Sequence, residues 1–274
     1  MKLISLGSSS DGNCHILYTN GVGIMLDCGA NVKNINAVIK DYNIKHILLT
    51  HKHQDHISSI LENKIADKGQ FIYGNEDVID KIKDTKYINK VTLEKNKKYV
   101  LDDNFYIVTF EIPHDVINFG YLIHDNSTNT NTVYITDIGY ISNLNFDNVT
   151  NFIIECNYDD DLYQEISKDD EGYVRYARTM GIFGHISVQE CSDFINRNVG
   201  INTLNVVLVH ISRNFDYKEI ENKFKSMVER KDLSIKAINN NIIGKEETTL
   251  IDTSKYDDIR LDEIMDFDAF EDIF

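Results

Sequence analysis

The chain has 274 residues, 42% of them apolar, enough to bury a sizeable core. Its formal charge of −16 excludes a basic protein that coats nucleic acid by bulk attraction. No apolar run reaches the roughly 18 residues that a membrane span needs. Cys14, Cys28, Cys156 and Cys191 show no C-x-x-C spacing and are expected to be buried thiols of a reducing compartment. The opening MKLISLG is too short an apolar stretch for a signal peptide, so a cytoplasmic protein without membrane contact is expected.

In chain order, KLISL, HILYT, GIMLD, HILLT, FIYG, FYIVTFEI, GYLIH and TVYITD predict strands. Helical periodicity intervenes near 31–42, 57–66 and 75–84. Further on, NFIIE and LNVVLVH predict buried strands, with helices near 159–180, 187–197 and 216–230. Ser187 with Glu190 forms a capping-box pattern, and Asp216 with Glu219 a weaker one. This order predicts an α/β fold of two sheets flanked by helices. The basic run LEKNKKYV (93–100) reads as a solvated hairpin turn. From 256 onward the composition changes. Residues 256–274 hold eight acidic residues, one basic residue, Phe267, Phe270 and Phe274, and form a tail distinct from a 1–255 body.

The densest chemistry is THKHQDH, residues 50–56, directly after a strand-like run. His51, His53, Asp55 and His56 are expected on a loop at a sheet edge. Imidazole and carboxylate ligate Zn, Mn or Fe, and a cation offsets the cost of gathering them. The spacing allows two ions, His51 and His53 on one, Asp55 and His56 on the other. His114, Asp137 and His210 also stand where strand-like runs stop, so all three are candidates to complete the site.

The pattern His-x-His-x-Asp-His, followed by His, Asp and His at strand ends, resembles the metallo-β-lactamase superfamily over about residues 1–230. GSSSDGN (7–13), PHDV (113–116), TDIGYI (136–141), ECNYD (155–159), GHIS (184–187) and HISRN (210–214) resemble its YycJ/WalJ branch of exonucleases. Tyr158 and Val188 stand where that branch would have His and Asn. The resemblance implies an αββα metallo-β-lactamase sandwich with a dinuclear site at one sheet edge. His51, His53 and His114 would hold the first ion. Asp55, His56 and His210 would hold the second, with Asp137 bridging the two.

Two divalent ions, Zn or Mn, would activate a water and clamp a phosphate oxygen. Asp55 or Asp137 would orient that water, and His185 would protonate the leaving group. Ser187 reads first as a helix cap and second as a phosphate contact, Asn157 and Asn214 as substrate contacts or as supports behind the ligands, and His185 as a further candidate substrate contact. His15, His46 and His124 read as structural. The leading expectation is a metal-dependent phosphodiesterase acting on nucleic acid as a 5′→3′ exonuclease. The alternative substrate is a small cyclic nucleotide signal, as for a phage protein that counters host defence. Tyr140, Tyr158 and Phe183 are near the motifs and suited to stacking a base. A third reading is a partner-binding protein acting through the acidic tail, whose apolar residues also suit a homodimer.

Overall fold

The computed structural model describes residues 1–61, 69–83, 89–141, 144–162, 184–239 and 245–250. Most of the expected 159–180 helix and all of the 256–274 tail lie outside these residues.

Fourteen strands, numbered in chain order, form two seven-stranded sheets among the described residues. The first contains β1 (Lys2–Ser9), β2 (Gly12–Thr19), β3 (Val22–Leu26), β4 (Ile44–Leu48), β5 (Phe71–Gly74), β6 (Asn89–Thr92) and β14 (Glu246–Thr249). Its order is β14-β1-β2-β3-β4-β5-β6. The second contains β7 (Lys98–Val100), β8 (Phe105–Ile112), β9 (Asn118–Asp125), β10 (Thr130–Ile135), β11 (Asn151–Glu155), β12 (Asn205–Val209) and β13 (Ser234–Ala237). Its order is β13-β12-β11-β10-β9-β8-β7.

Strand periodicity sorts the core into three layers, because successive side chains point to opposite faces. Leu3, Leu17, Ile24 and Leu48 meet Phe105, Ile107, Tyr121, Ile153 and Val207 between the sheets. Ile4, Ile16, Met25 and Ile47 point the other way, against α1 (Val32–Asp41), α2 (Gln54–Leu61) and α3 (Glu76–Lys81). Val133, Phe152, Ile154, Val206 and Leu208 face α4 (Val188–Asn198) and α5 (Tyr217–Met227). The result is the expected αββα sandwich. Each fully buried large apolar side chain contributes roughly 1.5–3 kcal/mol.

Both expected helix starts are present. Ser187 and Glu190 exchange both capping-box bonds, whereas Asp216 caps α5 by accepting from Lys218 N and Glu219 N at 2.7 and 3.2 Å. The reading of LEKNKKYV as a hairpin turn is corrected. β6 and β7 belong to different sheets, so this stretch carries the chain from one sheet to the other. Its lysines are spent locally, Lys95 on Glu111 at 2.9 Å and Lys97 on Glu94 at 2.7 Å. All four cysteines are buried and outside any disulfide. No helix among the described residues is long and apolar enough to cross a membrane.

Candidate metal centre

The site lies beyond the carboxyl ends of parallel strands. β3 pairs parallel with β4, and β10, β11 and β12 run parallel to one another. That register lines up the residues following each strand: Asp27 after β3, His51 after β4, Asp137 after β10 and His210 after β12. Glu155 is the last residue of β11. Three of these turn sharply through left-handed backbone, at φ 57° for Asp27, 54° for Asp137 and 52° for His210. Asp and His tolerate that region better than most residues, though it costs of order 1–3 kcal/mol each.

The loop expectation for 51–56 holds for its first half only. His51 and His53 precede the helix, while Asp55 and His56 lie in the first turn of α2, where His56 N donates to His53 O at 3.1 Å. The helix therefore begins inside the motif rather than at residue 57. A close approach fixes that turn. Cys28 N donates to His56 O at 2.7 Å, and a Cβ on Gly29 would run into the Asp55 carbonyl. Only glycine fits there.

The structure brings together all seven expected ligands, in two adjoining groups. His51, His53 and His114 offer ligand atoms within 4.8 Å of one another. His53 Nδ1 lies 3.1 Å from His51 Nε2 and 3.3 Å from His114 Nε2. Asp55, His56, Asp137 and His210 form the second group within the same limit. There His56 Nε2 is 3.0 Å from Asp137 Oδ2 and 3.3 Å from Asp55 Oδ2. The rings of His51 and His56, one from each group, are 4.2 Å apart.

A layer of supporting residues holds this array, and sequence reasoning assigned no role to most of it. Asp27 is fully buried and accepts from His56 Nδ1 and Tyr134 OH, both at 2.8 Å, and from Thr50 N at 2.9 Å. Glu155, also fully buried, accepts at Oε2 from His210 Nδ1 (2.8 Å), His185 Nδ1 (3.0 Å) and Asp137 N (2.9 Å). Its Oε1 accepts from Ile186 N at 3.0 Å. A carboxylate only accepts, so these contacts fix the protons on Nδ1 of His56 and His210 and leave each Nε2 available to a cation. Asn13 Nδ2 donates to Asp55 Oδ2 at 3.3 Å. The available signal was position: Asp27 in LDCG and Glu155 in ECNYD end apolar strands, as the ligands do.

The residues present fit divalent cations. His210 Nε2 is buried without a hydrogen-bond partner, and it lies 3.9 and 3.8 Å from carboxylate oxygens of Asp55 and Asp137. That spacing is too long for hydrogen bonds and suits a cation shared among them. Charge supports the same conclusion. Burial opposes the charged form of His56, but Asp27, Asp137 and Asp55 outweigh it and raise its pKa well above the usual imidazole range. For His210 burial is likewise overcome, by Asp137, Asp55 and Glu155, which raise its pKa to about 10. Burial, reinforced by His56, pushes His51 well below that range. His210 and His56 hold the Asp137 carboxyl far below its ordinary value despite its burial. In the Asp55, His56, Asp137 and His210 group the metal-free protein thus keeps protons where a cation would sit.

His185 stands beside the second group, its ring 5.1 Å from that of His210, with its side chain 23% exposed. Glu155 raises its pKa against the effect of burial. Of the expected substrate contacts, two take the alternative role the sequence also offered, a cap and a support. Ser187 is fully buried and its hydroxyl caps Glu190 N at 3.2 Å, so it is spent on α4. Asn157 is buried and donates to the His210 carbonyl at 2.7 Å, which makes it a support for the turn rather than a contact. Tyr158 is buried too, and its backbone bridges to Ser187, so its ring is not exposed for a base. Asn214 lies on the exposed loop after His210, outside both ligand groups. Phe183 lies outside the described residues. His15 bonds Ser5 Oγ at 2.7 Å, His46 bonds Tyr73 and Asp102, and His124 bonds Asn131.

The profile of the β-lactamase superfamily domain matches residues 24–211. Among curated relatives, the exodeoxyribonuclease WalJ of Streptococcus pneumoniae is 27% identical over 237 residues, covering 80% of this chain and 84% of the relative. The exodeoxyribonuclease YycJ of Bacillus anthracis is 23% identical over 243 residues, covering 81% and 87%. Among solved structures, the metallo-β-lactamase fold protein YhfI of Bacillus subtilis superposes with a TM-score of 0.65 at 15% identity, over 90% of this chain and 99% of that one. Zinc-bound PqqB of Methylobacterium extorquens gives 0.63 at 13% identity, over 91% and 100%. The chain belongs to the metallo-β-lactamase superfamily of metal-dependent hydrolases and resembles its YycJ/WalJ branch.

Proposed function

We propose that the chain is a dinuclear phosphodiesterase that shortens DNA from a 5′ end. The observation that carries this reading is the pair of adjoining ligand groups, joined at the 4.2 Å approach of His51 and His56. The names of the WalJ and YycJ relatives support DNA as the substrate. His51, His53 and His114 would hold one divalent ion, Asp55, His56 and His210 the other, with Asp137 between them. Zn or Mn bound there would make a water nucleophilic and neutralise phosphate charge.

The chain's own groups do the rest. Asp55 and Asp137 accept hydrogen bonds and so orient a water for in-line attack. His185 carries its Nδ1 proton against Glu155 and gives the Nε2 proton to the departing oxygen. Glu155 thereby ties this acid to His210 and to the Asp137 backbone.

A second reading, a phosphodiesterase for a small cyclic nucleotide, is favoured by the scarcity of cations at the site. Among the described loops that form it, only Lys52 and Arg213 are basic, and each is paired, with Asp77 and Asp11 respectively. Residues 256–274 would form a separate arm that docks a protein partner or a second subunit. The deciding experiment compares hydrolysis of 5′-phosphorylated DNA, RNA and several cyclic nucleotides with Mn or Zn. Stepwise loss of nucleotides from the DNA 5′ end is expected. Turnover of cyclic nucleotides alone would replace the exonuclease reading with the second one.

A further inference from the structure

An exonuclease must hold a strand end, and this site is poorly equipped to do so through phosphates. Phosphate contacts depend on Lys and Arg. The two basic residues on the described site loops are already neutralised by carboxylates, and the chain carries −16 overall. Beyond what bound cations would supply, the described residues leave affinity to the other face of a nucleotide, its base.

One side chain is placed for that contact. Tyr140 is 45% exposed, while residues 132–139 and 141 are all buried. It follows Asp137 by three residues, so its Cα lies within about 11 Å of the Asp137 Cα even if the chain is extended. Its loop is held firmly. Gly139 N donates to Pro113 O at 3.0 Å, next to His114, and Asn118 Nδ2 donates to Asp137 O at 2.9 Å. Ile138 and Ile141, on either side, are anchored in the core beneath α4 and α5. Among the described residues the Tyr140 ring and hydroxyl have no partner. A large aromatic is thus presented to solvent on a loop pinned at Gly139 to Pro113, three residues after Asp137.

We infer that Tyr140 is a stacking platform for the base of the terminal nucleotide. This contact, rather than phosphate attraction, supplies most of the affinity for the strand. The inference rests on the phosphodiesterase reading and names the group that holds the strand end, the face of its terminal base.

The test uses the metal-loaded enzyme, Tyr140→Ala and Tyr140→Phe. Substrates are 5′-phosphorylated single strands ending in a normal or an abasic nucleotide, and methyl p-nitrophenyl phosphate, a diester with no base. Tyr140→Ala should raise KM for the normal end by roughly 5- to 150-fold, the range expected for one lost base–aromatic stack. Its KM for the abasic end and its rate on the diester should match wild type, and the latter shows that the variant is folded and loaded. Tyr140→Phe should behave as wild type. For wild type, log(1/KM) should fall against log salt with a slope no steeper than about −1.4, the value for two phosphates neutralised on a single strand. Equal KM changes on normal and abasic ends, no change on either, or a much steeper salt slope would overturn the inference. A wild-type enzyme that hydrolyses the diester but neither strand would remove the exonuclease reading itself, and the platform with it.

Discussion

Replacing Asp27 by Asn tests the logic of the centre without touching a ligand. Every partner of the Asp27 carboxylate is a donor: His56 Nδ1, Tyr134 OH, Thr50 N and Thr50 Oγ1. An amide of the same shape must turn its NH2 towards some of them. If it faces His56, the imidazole has to move its proton to Nε2 and can no longer ligate through that atom. If it faces Thr50, the Thr50 N–H loses its acceptor inside the core. In the metal-free protein His56 is charged because Asp27 is the largest of the groups raising it. Removing one partner of a fully buried pair costs about 3–5 kcal/mol. For a domain of this size that lowers the melting temperature by roughly 6–20 °C. In the loaded protein, loss of such a support typically weakens metal binding about 10- to 100-fold. The loss should fall on the Asp55, His56 and His210 group, leaving the His51, His53 and His114 group near its original affinity. Thermal melting of the metal-free protein, with chelator competition followed by elemental analysis, reads both effects. A variant with unchanged melting and two ions held as tightly as in wild type would refute the argument.

Other outcomes follow from the same geometry. His53→Ala and Asp137→Ala should each lose bound metal and hydrolysis, and full metal content in both would sink the ligand assignment. His185→Ala should keep its metal but slow turnover roughly 10²- to 10⁴-fold, with a smaller defect on a nitrophenyl diester than on DNA. Loading metal at pH 7 should release about two protons, from His56 and His210, seen as a dependence of calorimetric heat on buffer ionisation enthalpy. In the metal-free protein, His210 stabilises fully below its unfolded value of about 6.5, and that contribution is lost as pH rises through about 10. Asp137 has the opposite sign: its lowered pKa stabilises above about 4 and fails on acidification. Melting temperature should therefore peak between these limits, and a maximum above pH 9 would contradict the assignment. Deleting 256–274 should leave hydrolysis of a small diester unchanged, and a fall in rate or in mass by light scattering would assign the tail to the site or to a subunit seam.

The sequence by itself determined the buried strands, the caps of α4 and α5, and the residues of the two candidate ligand groups, because each is written locally. Apolar runs of period two bury one face or both, Ser187 and Glu190 sit three residues apart, and His and Asp recur where runs stop. The strands it did not reveal are β6, β7, β13 and β14, the four edges of the two sheets. They read NKVT, KYV, SIKA and EETT. Such short, half-polar stretches become strands only because a neighbour offers a ladder, and for β6, β13 and β14 that neighbour is distant in the chain. The same distance hid Asp27 and Glu155. A buried carboxylate is tolerable only among donors, and the donors of Asp27 come from β4's end and β10, while those of Glu155 come from residues 137, 185, 186 and 210. Likewise Asn157, Tyr158 and Tyr140 look alike in sequence as polar or aromatic residues near motifs. Packing alone buried the first two and left Tyr140 facing solvent.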